Sequence, residues 1–242
     1  VMESVVHLEK KEGFEVTYVP VDKLGVVNPD DVEKALRPDT VLVTIMMANN
    51  EIGTIEPIAE IGNRIQKYRK AAGTKFPLFH TDACQAPGAL SLQVSNLGVD
   101  LMTLSGVKIY GPKGAGVLYI RGGTPIDPII FGGEQENGMR SGTQDIPAIV
   151  GFAKALTLAE EKKKKESERL TKLRDYFIEK IKKEITWRSN LQVDKPHLEI
   201  GSPSKFNEAC ELNGDQKLRL PNNINFYFPK ISGEQLVIEL DV

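Results

Sequence analysis

The chain has 242 residues, 40% of them hydrophobic and 26% charged, with 31 Lys and Arg against 33 Asp and Glu. These are the proportions of a soluble globular protein with room for one large domain, or one domain plus part of another. A formal net charge of −2 gives no electrostatic basis for binding nucleic acid, and no apolar run reaches the roughly 18–20 residues of a membrane span. Two cysteines, Cys84 and Cys210, make no disulfide framework and point to a reducing cytosolic or organellar compartment, with a cytoplasmic location expected.

Val1 to Phe14 reads as the middle of a helix entering a strand, and Glu15-Val16-Thr17-Tyr18-Val19 reads as a short β-branched strand. Asn28-Pro29-Asp30-Asp31 starts a helix through Val32 and Leu36, with acids in its first turn. Thr40 to Met46 is an apolar run with β-branched enrichment, expected to be a strand buried on both faces. Pro57 suits a helix start, and Ile58, Ile61, Ile65 and Tyr68 recur at helical spacing before Gly73. Three strands follow, at Phe76–Asp82, Val99–Ser105 and Gly116–Ile120. This alternation predicts an α/β fold, a mostly parallel sheet with helices on both faces.

From Ile146 to about Lys183 the pattern is helical. Ile149, Phe152, Ala153 and Leu156 form one apolar stripe, and Leu170, Leu173, Phe177 and Ile181 another. Between them, Glu160 to Glu166 carries four successive lysines, read as a solvated face with Glu–Lys pairs. Beyond Ser189 the sequence turns polar and irregular through Asp215. Asn223–Phe228 then reads as a strand, and Gly233-Glu234-Gln235-Leu236 opens a helix. The expected division is a large domain over 1–160, then a connecting helix and the start of a small α+β domain over 161–242. The pattern at both termini suggests a fragment with material missing on both sides.

Four loops carry the chemistry. Lys108 follows the strand that ends at Ser105, inside Ser105-Gly106-Val107-Lys108-Ile109-Tyr110-Gly111-Pro112-Lys113-Gly114. A lysine at the carboxyl end of a sheet strand lies in the crevice of an open α/β sheet and can form a Schiff base with an aldehyde cofactor. The stretch resembles a phosphate-binding P-loop only superficially, because Pro112 precedes Lys113 and Gly114 stands where Ser or Thr is needed. Asp82 ends the strand upstream. An aspartate and a lysine on two strand ends can hold opposite sides of a pyridine ring, as pyridoxal phosphate requires. Gln85 lies three residues on, and Asn49-Asn50-Glu51 supplies amides after a third strand. Phe131 to Thr143 holds four glycines, Arg140 and two hydroxyls, suited to wrapping an anionic group.

As a set, in this order, these pieces resemble the NifS/IscS-type cysteine desulfurases and selenocysteine lyases, pyridoxal-phosphate enzymes of class V and fold-type I. The matching pieces are Ala48-Asn49-Asn50-Glu51-Ile52-Gly53, His80-Thr81-Asp82-Ala83, Gln85, Ser105 to Gly114, and Gly138-Met139-Arg140-Ser141-Gly142-Thr143. The resemblance implies that Lys108 is the Schiff-base lysine and proton shuttle, that Asp82 pairs with the pyridinium, and that Gln85 bonds the phenolic oxygen. It places Asn50 near that oxygen and the substrate carboxylate, Ser105 on the phosphate, and Thr143 on the phosphate of a partner subunit in a homodimer. It implies L-cysteine or selenocysteine as substrate and sulfur-acceptor or scaffold proteins as partners, for iron–sulfur clusters or tRNA thiolation. A class V aminotransferase fits the Asn-Asn-Glu and Arg-Ser-Gly-Thr pieces less well, and a non-catalytic scaffold has no need of Lys108, Asp82 and Gln85 together.

The sequence departs from the family at Val107, where a phosphate-binding His is usual, a difference on the order of 1.5–3 kcal/mol for one hydrogen bond to a charged group. The family's ring-stacking His, its nucleophilic-cysteine loop and its carboxylate-gripping Arg have no match in this chain. Cys84 reads as a small packed residue rather than that nucleophile, and Cys210 lies in no matching motif.

Overall fold

The computed structural model describes residues 2–190, 210–229 and 232–240. Helix α1 (Met2–Lys11) leads into extended chain, then α2 (Pro29–Ala35). Asn28 caps α2 by accepting the Asp30 N–H at 2.9 Å, and Pro29 supplies a first-turn φ where no N–H is needed. Strand β1 (Leu42–Met46), helix α3 (Ile58–Ala72), strand β2 (Leu78–Asp82), the short α4 (Val94–Leu97) and strand β3 (Leu101–Ser105) follow in alternation. β1, β2 and β3 run parallel in that order, and β4 (Gly116–Ile120) closes the sheet antiparallel to β3. The chain then enters α5 (Ile146–Asn190), the two-stranded ladder β5 (Glu211–Leu212) and β6 (Phe226–Tyr227), and α6 (Gly233–Leu240).

The parallel register puts alternate residues on opposite faces. Phe79, Thr81, Met102 and Leu104 point to one face and are buried, packed with Ile58, Ile61 and Ile65 of α3, Val99 and Phe152 of α5. α3 approaches the α4 turn closely: a Cβ on Gly62 would stand 2.2 Å from the Leu97 carbonyl oxygen. At the amino end of the strands, buried Asp100 accepts the Phe79 N–H at 2.8 Å and pairs with Arg69 and with Arg121 at 3.5 Å. That carboxylate pins the start of β3 to β2 and is satisfied by three donors, as a buried charge must be.

Four expectations need correction. Residues 15–19 are extended but join no ladder. The Glu15 carbonyl accepts from Arg37 Nη2 at 3.2 Å instead, and an isolated bridge, Val21 to Val27, follows. β1 is not buried on both faces: it has a strand partner on one side only among the described residues, and Leu42 and Met46 are exposed. In α5, Phe152 is buried as expected, but Ile149, Leu173 and Phe177 face outward, and the inward residues of the second half are Arg174 and Ile178. The Asn223–Phe228 strand is real only at Phe226–Tyr227, and most of the polar stretch before Asp215 lies outside the described residues. The lysine run behaves as a solvated helix face with Lys163 paired to Glu160 at 2.9 Å, although Lys163 also donates to the Leu90 carbonyl.

Candidate active site at the strand ends

Three parallel strands bring their carboxyl ends together. Met46 pairs with Asp82, and Asp82 with Thr103, two residues short of Ser105. Asp82 closes β2 with an Asx-type turn: its Oδ1 accepts the Cys84 N–H at 3.0 Å, and its carbonyl accepts the Met47 N–H at 2.7 Å. The carboxylate is thereby held at the mouth of the crevice between two neighbouring strands.

Ser105 ends β3 and caps a 3-10 turn, Gly106–Ile109, that carries Lys108. The turn needs its glycine, since a Cβ on Gly106 would lie 2.8 Å from the Phe152 ring and 3.1 Å from the Ala115 carbonyl oxygen. The Gly106 N–H donates to that same carbonyl at 2.9 Å, and Tyr110 adopts a left-handed φ of 62° to end the turn. Cys84 reports the electrostatics of the place. Burial, and then the Asp82 carboxylate, push its thiol up to about 12, while the Lys108 ammonium pulls the other way. Asp82, Cys84 and Lys108 therefore share one neighbourhood, and the thiol in it stays protonated.

The side chains of Asn50, Gln85, Ser105, Lys108 and Thr143 make no hydrogen bond to another residue among those described, whereas neighbouring polar groups are tied up. Asn49, expected as one of the amide donors, is structural: its Oδ1 accepts the Glu51 and Ile52 N–H groups at 2.8 and 3.0 Å. The Phe131–Thr143 loop is not joined to the other three. Its hydrogen bonds stay within the loop or reach the residue just before it, from Ser141 N–H to the Ile130 carbonyl, from Gly142 N–H to Gln135 Oε1 and from Arg140 Nη1 to the Ser141 carbonyl. The structure thus brings together three of the four predicted loops, at Asn50, at Asp82 and Gln85, and at Ser105 and Lys108.

Two features were missed in the sequence. Beneath Asp82 on the same face of β2, His80 spans the strands. Its Nδ1 lies 2.6 Å from Thr44 Oγ1 and its Nε2 lies 3.4 Å from Thr103 Oγ1. Burial lowers the His80 pKa, with Asp82 opposing in part. Threonines at alternating positions on both flanking strands were the available signal. The second feature is a clamp from the far end of the chain. Asn223 Nδ2 donates to the Asn50 and Glu51 carbonyls at 3.3 and 3.0 Å, and Asn225 Nδ2 to the Glu51 carbonyl at 3.2 Å. The Asn-x-Asn spacing, which puts two amides on one side of an extended chain, was legible; their target was not.

The model of the aminotransferase class-V family matches residues 2–201. The chain belongs to the class-V aminotransferase family. This class-V chain is 47% identical over 236 residues to the cysteine desulfurase IscS of Dictyoglomus turgidum, covering 98% of its own length and 52% of that protein. Among solved structures it is similar to a NifS-like protein, with a TM-score of 0.81 and 36% identity, over 98% of this chain and 56% of the other. It is also similar to an SspA solved in complex with cysteine, with a TM-score of 0.60 and 41% identity, over 65% of this chain and 44% of the other. The class-V chain spans about half the length of the curated relatives it matches. Class-V aminotransferases and cysteine desulfurases are pyridoxal-phosphate enzymes, and the residues present fit that group. A carboxylate ends β2 and a lysine lies on the turn after β3, and the side chains of Asn50, Gln85 and Ser105, on the loops at the same ends of the strands, are engaged by no other described residue. Among the described residues no helix is long and apolar enough to cross a membrane, and no cluster of three or more His, Cys, Asp or Glu could hold a metal ion.

Proposed function

We propose that this chain is the cofactor-binding part of a cysteine desulfurase, which converts L-cysteine to L-alanine and passes the sulfur on as an enzyme persulfide. The observation that carries the reading is the pairing of Asp82 with Lys108 at neighbouring strand ends, on a chain 47% identical to a cysteine desulfurase. Pyridoxal phosphate, when bound, supplies an aldehyde that condenses with amines and a ring that withdraws electrons from the substrate Cα. Lys108 Nζ is the amine that anchors it and, once displaced by substrate, the base that holds and moves the Cα proton. Asp82 keeps a proton on the ring nitrogen. Gln85 and Asn50 orient the phenolic oxygen side, with Asn50 also facing the substrate carboxylate, and Ser105 bonds the phosphate.

Thr143 stands apart from this group, which supports its role in a second copy of the chain within a homodimer. Exposed Ile129, Phe131, Ile146, Ile149 and Val150 flank it and supply apolar surface for such a contact. Cys84 is not the sulfur acceptor in this reading, because its thiol is held protonated. The reading takes 1–160 as the cofactor-binding domain and 161–242 as the connecting helix and start of a smaller one. Borohydride reduction of the full reading frame with pyridoxal phosphate, followed by peptide mass mapping, tests it. The expected result is a phosphopyridoxyl group on Lys108, together with turnover of cysteine. Folded protein with Lys108 unmodified would favour a scaffold that has lost the site.

A further inference from the structure

The Asn49–Gly53 turn, which carries Asn50, is held from two sides. From inside, Asn49 Oδ1 accepts the Glu51 and Ile52 N–H groups, its carbonyl accepts the Gly53 N–H at 3.1 Å, and its own N–H donates to the Thr54 carbonyl at 2.9 Å; none of these engages the Asn50 or Glu51 carbonyl. The carbonyls on the other side of the turn are fixed from residues 218–225. Besides the three amide contacts of Asn223 and Asn225, the Leu220 N–H donates to the Gly53 carbonyl at 2.8 Å, and the Ile55 N–H to the Leu218 carbonyl at 3.0 Å. The approach is close enough that a Cβ on Gly53 would lie 2.5 Å from Asn223 Oδ1.

The clamp is itself built on buried groups. Arg219, 3% exposed, donates from Nη1 to Asn223 Oδ1 at 3.2 Å and from Nε to the Asp215 carbonyl at 2.8 Å. Arg174 of α5 donates to the Arg219 and Leu220 carbonyls at 3.2 and 3.1 Å. The Asn223 amide is thus oriented with Oδ1 toward Arg219 and Nδ2 toward the turn. A carbonyl held in one direction restricts ψ of its own residue and so narrows the backbone orientations from which the side chain can leave. The Asn50 carbonyl is the one held.

We propose that Asn223 is a positioning residue for Asn50, so that grip on the amino-acid substrate is set by a segment some 170 residues downstream of the turn. The inference rests on the proposed role of Asn50 at the substrate carboxylate. N223D is the sharpest variant, since its side chain keeps an acceptor for Arg219 and loses both donations to the turn. In the full-length protein without cofactor, hydrogen exchange in residues 47–56 should quicken about tenfold. With pyridoxal phosphate, the Lys108 chromophore should form to the same extent, with at most a shift of its band from the displaced Asn50, KM for L-cysteine should rise about tenfold and kcat should move less than about twofold. A merely structural loss would lower cofactor retention and kcat as well. Should N223D fail to fold, N225D removes one donation to the Glu51 carbonyl and keeps Oδ1 for Asn213, and KM should rise about threefold.

Unchanged exchange in 47–56, or unchanged KM in folded variant with intact chromophore, would overturn the inference. A wild-type protein that forms no chromophore would instead overturn the reading of the site on which it rests, a result visible before any variant is made.

Discussion

Val107 leaves the turn around Lys108 without a donor at the position where the resemblance places a phosphate-binding His, and its side chain is exposed rather than needed for packing. Val107→His should therefore tighten pyridoxal phosphate binding by about tenfold in a fluorescence titration, with little change in folding stability. Cys84 gives a second residue-level outcome. With its thiol pushed up to about 12, well under one in a hundred molecules carries the thiolate at pH 8, so alkylation by iodoacetamide should be at least about a hundredfold slower than for a free thiol. Peptide mapping after timed labelling reads this directly. His80 gives a third. Burial holds it neutral, so the unfolded chain takes up a proton near its ordinary pKa while the native chain does not. The stability this lends is present above that ordinary value and lost as pH falls through it toward the lower native one. The fall in Tm between about pH 7 and 5 should accordingly be shallower in His80→Gln than in the parent. The missing donor at Val107 and the packed Cys84 were legible in the sequence, whereas the setting of His80 was not. Asp82 and Lys108 were legible too, because strand ends followed by glycine-rich turns are where an open sheet presents reactive groups. His80 was passed over because its partners, Thr44 and Thr103, lie on other strands and only register brings them to it.

At the scale of elements, local chemistry was a good guide wherever one residue decides the boundary. Asn28 and Pro29 started α2 as expected, Gly73 ended α3 with a φ of 63°, and β4 covers the expected Gly116–Ile120. It was a poor guide where a partner decides. Residues 15–19 have strand composition but no ladder to join, and the Glu15 carbonyl and the Thr17 hydroxyl accept from the Arg37 side chain instead. In α5 the search for an apolar stripe could not select Arg174, whose guanidinium faces inward to cap backbone carbonyls. Gly62 is a case of the reverse kind, an apparent helix weakness that close packing requires. Gly62→Ala would gain helix propensity in isolation, yet its Cβ would collide with the Leu97 carbonyl oxygen. The net effect should be a loss of about 1–3 kcal/mol, seen as a Tm lower by roughly 2–4 °C for each kcal/mol.

For the whole molecule, the apolar surface near Thr143 has its own expected outcome. In sedimentation equilibrium the full-length protein should behave as a dimer, and Phe131→Glu combined with Ile149→Glu should shift it toward monomer and weaken cofactor retention. The interior connections run along α5. Phe152 and Gly151 lie against Gly106 and Pro112 of the lysine turn, Ala159 lies beside Gly88 past the aspartate turn, and Arg174 reaches the segment that clamps Asn50. At about 1.5 Å per residue the 45-residue helix is roughly 67 Å long. The contacts at Phe152 and Arg174 are 22 residues apart, close to six whole turns, so they fall on one side of a rod. That makes the helix a phase-keeping shaft. One residue inserted among the solvated lysines would turn everything beyond it by about 100° and swing Arg174 off its carbonyls, though no residue at the cofactor site had changed. Seven inserted residues would restore the angle but carry Arg174 about 10 Å along the axis, so an insertion along this surface is tolerated only where both the helical phase and the added length can be absorbed.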